Sequence, residues 1–202
     1  MIKKRVGVLI SGNGSNLQAL IEACANPAFP AEIVVVISSR ADAYGLERAK
    51  MAGIPALVLN PKDYTARDAF DLQIQQLLDR HLADVVCLAG FMRLLGDSFV
   101  TRWNDKLLNI HPSLLPAFKG AHAIRDALAA GVKITGCTVH FVRSDMDSGP
   151  IILQEAVKVL PGDTEVTLAA RVLEMEHRCY AQALKWFCEG KLKVSGERVF
   201  TP

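Results

Sequence analysis

Short apolar stretches alternating with longer amphipathic ones constrain this chain more than any other feature. Residues 6–10, 32–38, 56–59, 85–89 and 107–110 are apolar runs of strand length. Between them, 15–24, 43–52, 67–82 and 98–103 read as helices. Strands separated by helices of that length pair in parallel, and the helices then cover a sheet on both faces. The second half changes character. Residues 134–142 and 151–157 are spaced to pair antiparallel across the loop at 144–150. A long helix over 165–187 follows, ended by Glu189-Gly190. The last residues, 191–194 and 198–201, flank Ser195-Gly196-Glu197 and read as a terminal hairpin.

The fold class is therefore α/β: a Rossmann-like open, mostly parallel sheet with helices on both faces and an antiparallel C-terminal part. No internal repeat, low-complexity tract or linker interrupts the pattern, so a single domain is expected over 1–202. That length supports one well-buried core. The hydrophobic fraction is 50%, yet no run approaches the roughly 18 residues of a membrane span. Met1-Ile2-Lys3-Lys4-Arg5 resembles the start of a signal peptide, but the apolar part behind it soon stops at a glycine loop. Lys plus Arg number 23 against 21 Asp plus Glu, which gives no basic footprint for nucleic acid. The five cysteines contain no C-x-x-C, and Cys87 and Cys137 lie inside apolar runs, where a thiol packs as a small hydrophobe. A reducing cytoplasm is the expected home. The histidines show neither H-x-x-x-H nor H-x-x-H spacing, and no metal is expected.

The first loop, Gly12-Asn13-Gly14-Ser15-Asn16, follows a strand and opens a helix. Its glycines let the backbone turn sharply, Ser15 or Asn16 can cap the helix, and the first-turn amides then point at an anion. A dinucleotide fingerprint fails here, because its third glycine would fall at Leu17. The second strand also ends in Ser38-Ser39-Arg40, where a ribose-binding acid would stand. A single phosphorylated ribose fits better, and a tight turn without ligand is the competing reading.

Asn109-Ile110-His111-Pro112-Ser113-Leu114-Leu115-Pro116 carries the chemistry. In an extended chain, Asn109 and His111 point to the same side. An amide donor beside a group that carries a proton near neutral pH suits a reaction in which a carbonyl oxygen becomes an oxyanion. Taken alone, the pair could equally shape a turn. Downstream, Asp145-Met146-Asp147-Ser148-Gly149-Pro150 follows the apolar stretch at 138–142. Beside His111, Asp147 would favour the imidazolium and could move a proton.

The octapeptide with Asp147 before Gly149-Pro150 resembles the active-site pattern of the folate-dependent formyltransferases, and the likeness runs from Val6 to about Gly190. The glycine loop is similar to that of the members that formylate glycinamide ribonucleotide in purine biosynthesis. The resemblance implies that Asn109, His111 and Asp147 are catalytic. It places the ribonucleotide at Gly12, Asn13, Gly14, Ser15 and Asn16, with Glu176 at its ribose. It lines a pterin pocket with Met92, Arg93, Leu94 and Leu95, with Arg67 and Asn109 near the folate, and makes 10-formyltetrahydrofolate the cosubstrate. By residue type alone, Phe91 and Met92 could be plain core, and Glu176 a charge on a solvated helix face. Ser113 lacks a base within reach and reads as structural, and His140 as either a support to the site or core. Ala117-Phe118-Lys119-Gly120-Ala121-His122 departs from the aromatic-Pro-Gly that follows the signature in many relatives. Three alternatives stand beside this reading. A formyltetrahydrofolate hydrolase would share Asn109, His111 and Asp147 but normally carries an extra N-terminal domain and lacks the glycine loop. A methionyl-tRNA formyltransferase would need a C-terminal tRNA-binding domain and a basic surface. For a non-catalytic nucleotide-binding module, the Asn-His-Asp set would be surplus. The expected partners are small molecules, with no nucleic acid and no membrane.

Overall fold

The computed structural model describes residues 2–202, in which nine strands and six α-helices follow one another. The main sheet has the order β3-β2-β1-β4-β5-β6-β7, and β8 with β9 forms a separate hairpin. The chain falls into two compact units, the residues up to Leu108 and Asn109–Pro202.

The first unit holds β1 (Lys4–Ile10), β2 (Ala31–Ser38), β3 (Ala56–Val58) and β4 (Val85–Leu88), with α1 (Ser15–Ala25), α2 (Gly45–Met51), α3 (Arg67–Arg80) and α4 (Asp97–Arg102). β1 pairs in parallel with both β2 and β4, and β2 with β3, as the alternating pattern demands. These strands read as near-continuous apolar runs because they are buried: Val6, Val8, Leu9 and Ile10 of β1 are fully so, as are Val35 and Val36 of β2. Helix α3 was expected to reach residue 82 but stops at Arg80. Leu82 takes a φ of 51°, and the Ala83 N–H returns to the Leu78 carbonyl, closing the helix end.

The second unit holds the end of β5 (Leu107–His111), then α5 (Ala123–Ala129), β6 (Ile134–Phe141), β7 (Ile151–Lys158), α6 (Glu165–Cys188), β8 (Lys193–Ser195) and β9 (Arg198–Phe200). β6 and β7 pair antiparallel from Ile134↔Lys158 to His140↔Ile151, as expected. Helix α6 starts at a capping box, in which Thr164 and Thr167 satisfy each other's backbone N–H groups. Its buried residues, Leu168, Val172, Glu176, Cys179, Tyr180, Ala183 and Leu184, recur every three or four positions and form one inward stripe. Helix α5 was not expected, because seven residues of mixed Ala, Ile, Leu, Arg and Asp carry too short a period to stand out. Among the described residues, no helix is long and apolar enough to cross a membrane.

Candidate active site

β5 places Asn109 half-buried and His111 buried, two residues apart on one strand. The turn that follows is fixed by side chains. Ser113 Oγ donates to the Ala117 carbonyl at 2.6 Å. Thr138 Oγ1 donates to the Ser113 carbonyl at 2.7 Å and accepts from the Leu115 N–H and from Gln154 Nε2. That uses the single proton and both lone pairs of the Thr138 hydroxyl, so the Ser113–Leu115 backbone is held without slack.

Asp147, His111, His140 and Asn109 form one chain of contacts in the second unit. His111 Nδ1 lies 3.5 Å from Asp147 Oδ2, and its Nε2 donates to the Phe118 carbonyl at 2.9 Å. Asp147 Oδ2 also accepts the Gly120 N–H at 2.8 Å. The segment at 117–120 therefore supplies two backbone contacts to the site. Asp147 itself takes a φ of 51°, a left-handed conformation that Asp tolerates better than most residues. After it, a Cβ at Gly149 would collide with the Phe141 carbonyl, so glycine is required there.

His140 received no definite role from the sequence, and the structure puts it between Asn109 and Asp147. Its Nε2 is 3.2 Å from Asn109 Nδ2 and 4.0 Å from Asp147 Oδ1, while its Nδ1 faces the Phe141 carbonyl at 2.9 Å. Burial pushes its pKa below the ordinary histidine value, against smaller opposing effects of the Phe141 carbonyl and Asp147. A neutral ring with its proton on Nδ1 satisfies both contacts: it donates to Phe141 and accepts from Asn109. One hydrogen of the Asn109 amide is thereby committed, and the other remains to donate. Nothing local could have revealed His140, because its meeting with Asn109 spans 31 residues. Glu176 is buried on the inward stripe of α6, not on a solvated face.

In the first unit, the helix cap differs from the expectation. Gly14, not Ser15 or Asn16, is the N-cap of α1, with φ 75°, and no side chain caps the helix. A left-handed cap excludes the extended backbone that a capping Ser would need, and glycine adopts it at little cost. A Cβ on Gly14 would also stand 2.7 Å from the Gly45 Cα, and the Gly45 N–H donates to the Gly12 carbonyl at 3.1 Å. Arg48, which the sequence reading passed over, holds the loop from α2. Its Nε donates to the Asn13 carbonyl at 3.0 Å and one terminal nitrogen to Asn13 Oδ1 at 3.1 Å.

Met92 and Leu94 are not core: they are 72% and 62% exposed. Together with Arg93 and Arg67 they line a cavity of about 550 Å³ whose other walls include Lys62, Tyr64 and Phe70. Leu95 is half-buried and is not among the lining residues. The cavity combines apolar side chains with three cations, Lys62, Arg67 and Arg93.

Residues 4–184 match the family model described as formyl transferase, which is most of the chain. The chain belongs to the formyl transferase family. The chain is 47% identical to the phosphoribosylglycinamide formyltransferase of Escherichia coli (strain K12), over 93% of this chain and 88% of that protein. It is 54% identical to the trifunctional purine biosynthetic protein adenosine-3 of Bos taurus over 95% of this chain, and spans only 19% of that protein's length. Among solved structures, the crystal structure of glycinamide ribonucleotide transformylase 1 from Symbiobacterium toebii superposes with a TM-score of 0.97 at 52% identity, covering 98% of this chain and 94% of that one.

Proposed function

We propose that this chain transfers the formyl group of 10-formyltetrahydrofolate to the amine of glycinamide ribonucleotide, a step of purine biosynthesis. The observation that carries the reading is the cluster of Asn109, His111, His140 and Asp147, built around two buried histidines, a charge-stabilising and proton-moving set in a member of the formyl transferase family. The family model spans both compact units, which supports reading the chain as one functional domain.

Each group has a job in this reaction. The amine nitrogen bonds to the formyl carbon, the bond from that carbon to the folate nitrogen breaks, and negative charge collects on the formyl oxygen between the two events. The free Asn109 N–H donates to that oxygen, and a donor of this kind, preorganised away from water, is worth roughly 3–4 kcal/mol. An imidazolium at His111 has two N–H groups, and here each faces an acceptor, Asp147 and the Phe118 carbonyl. Its positive charge then stands beside the developing oxyanion. Asp147 takes the proton from the attacking amine and passes it, directly or through water, to the leaving nitrogen. No covalent intermediate with the protein is needed.

The ribonucleotide phosphate sits at the first turn of α1, where the helix dipole favours an anion. The folate lies against Met92, Arg93 and Leu94 with Arg67, and the cations of the cavity suit its carboxylates. The chemistry needs small-molecule partners only, and the cytoplasm is the compartment that supplies both.

The test is formyl transfer measured with and without glycinamide ribonucleotide. Tetrahydrofolate released only with the acceptor supports the transferase. Formate released at the same rate without it would make the protein a hydrolase, and no turnover at all would leave a binding module.

A further inference from the structure

The residue that opens the glycine loop is also tied to the segment carrying Met92–Leu95. Ser11 is buried, at 5% exposure. Its backbone N–H donates to the Gly90 carbonyl at 3.1 Å, and its Oγ accepts the Met92 N–H at 2.9 Å. The same Oγ lies 2.7 Å from Ser39 Oγ, and the Ser39 N–H donates to the Ile10 carbonyl at 3.0 Å. Three loops, those leaving β1, β2 and β4, therefore meet at one hydroxyl. All of them belong to the first unit.

The donor segment needs such an anchor. Residues 91–95 form neither helix nor strand, and Met92 is largely exposed. Side chains hold the segment at both ends: Ser11 at the Met92 N–H, and Asp71 Oδ2 at the Gly96 N–H, 2.6 Å away. Of these, Ser11 is the one contiguous in sequence with the glycine loop. A serine hydroxyl offers one proton and two lone pairs. Met92 and Ser39 occupy two of these three positions, so Ser11 cannot shift without disturbing the Met92 bond.

We propose that Ser11 is a positioning residue that couples the two binding segments, so that an occupied glycine loop tightens the donor segment and an occupied donor segment tightens the loop. The inference rests on the functional reading above for what the two segments bind. Its physical content is that an anion drawing the Gly12–Asn16 amides together fixes Ser11, and a fixed Ser11 fixes Met92. Linkage makes the effect equal in both directions.

Calorimetry on the full chain tests it with two probes: glycinamide ribonucleotide, and a 10-substituted tetrahydrofolate analogue with no transferable formyl group. The Kd of each is measured alone and with the other saturating. In the wild type each probe should bind roughly fivefold tighter when the other is present, the worth of about one hydrogen bond. In Ser11→Ala that ratio should fall to near one. Ser39→Ala keeps the Met92 bond and should retain most of the ratio. An undiminished ratio in Ser11→Ala overturns the inference, and so does a wild type that binds both probes with no ratio at all, in which case Ser11 is a structural peg. A wild type that fails to bind either probe overturns the functional reading, and the coupling falls with it.

Discussion

The cluster around Asp147 and the cavity around Met92 are built on opposite principles. In the cluster, His111 and His140 are nearly inaccessible, and both nitrogens of each ring face a protein group. In the cavity, Met92 and Leu94 stand exposed, and the segment that carries them has no regular structure. Under the proposed function, the difference separates two tasks. Groups that act on charge in a transition state gain by being fixed before the substrate arrives, because no reorganisation is then needed at the moment of reaction. Groups that bind an apolar ring gain when the ring covers them, and the exposed area is what the ligand removes from water. Substitutions should therefore sort by region: rate without affinity in the first, affinity without rate in the second.

The sharpest way to break this contrast is Asp147→Asn. The amide can still accept the Gly120 N–H, so the loop keeps its shape while the charge facing His111 disappears. We expect kcat to fall by about 10²–10³, the range for a preorganised electrostatic group, with both ligand affinities nearly unchanged. His111→Ala should cost as much, and the double substitution scarcely more, because each charge works through the other. An equal loss of ligand affinity would show that the cluster is a binding element after all.

The next largest effect belongs to Gly14→Val. It puts a branched side chain on a left-handed backbone and a Cβ at 2.7 Å from the Gly45 Cα. The strain is of order 1–3 kcal/mol, so the acceptor KM should rise roughly tenfold or more. Gly12→Ala is the sharper companion. A Cβ there meets no protein atom within 4 Å, so any rise in acceptor KM reads the approach of the ligand alone. If Gly12→Ala is silent while Gly14→Val is not, the phosphate does not sit at Gly12.

Third in size is Met92→Asp, which should weaken the folate analogue about tenfold by replacing apolar contact with a carboxylate. Because Met92 is 72% exposed, the fold should not notice. Unchanged analogue affinity in a protein of wild-type stability would move the donor elsewhere.

What the sequence revealed follows the same division. The strand–helix alternation, the glycine loop and the placing of Asn109 and His111 on one strand depend on local periodicity, and all could be read directly. What escaped it depends on meetings far along the chain or on backbone dihedrals. His140 meets Asn109 only because β6 brings it there, Arg48 reaches Asn13 from the next helix, and Ser11 reaches Met92 across 81 residues. The left-handed cap at Gly14 was missed for a different reason. A Ser-Asn pair after glycine looks like capping residues, and only the packing of Gly45 against Gly14 decides that the cap lies one residue earlier.

The smallest expected effect distinguishes the two regions by pH. Burial holds the folded-state pKa of His140 below the ordinary value of roughly 6.5, whereas the unfolded chain titrates near that value. Between the two, the unfolded state binds more protons than the folded one, so stability rises with pH across that window. The contribution of a neutral His140 is fully present above about pH 6.5 and is lost as pH falls toward the folded-state pKa. Its slope cannot exceed one proton, roughly 1.4 kcal/mol per pH unit. His140→Asn removes the titrating group, so urea unfolding of the variant should change less than the wild type between pH 7.5 and 5.5. At pH 7.5 the variant should also lose several-fold in kcat, because Asn109 no longer meets the ring nitrogen that orients it. Met92→Asp, in a region where the ligand and not the fold covers the side chain, should leave the wild-type pH slope in place. A His140→Asn slope identical to wild type would mean that His140 titrates alike in the folded and unfolded chains, and the neutral ring assigned to it between Asn109 and Phe141 would be wrong.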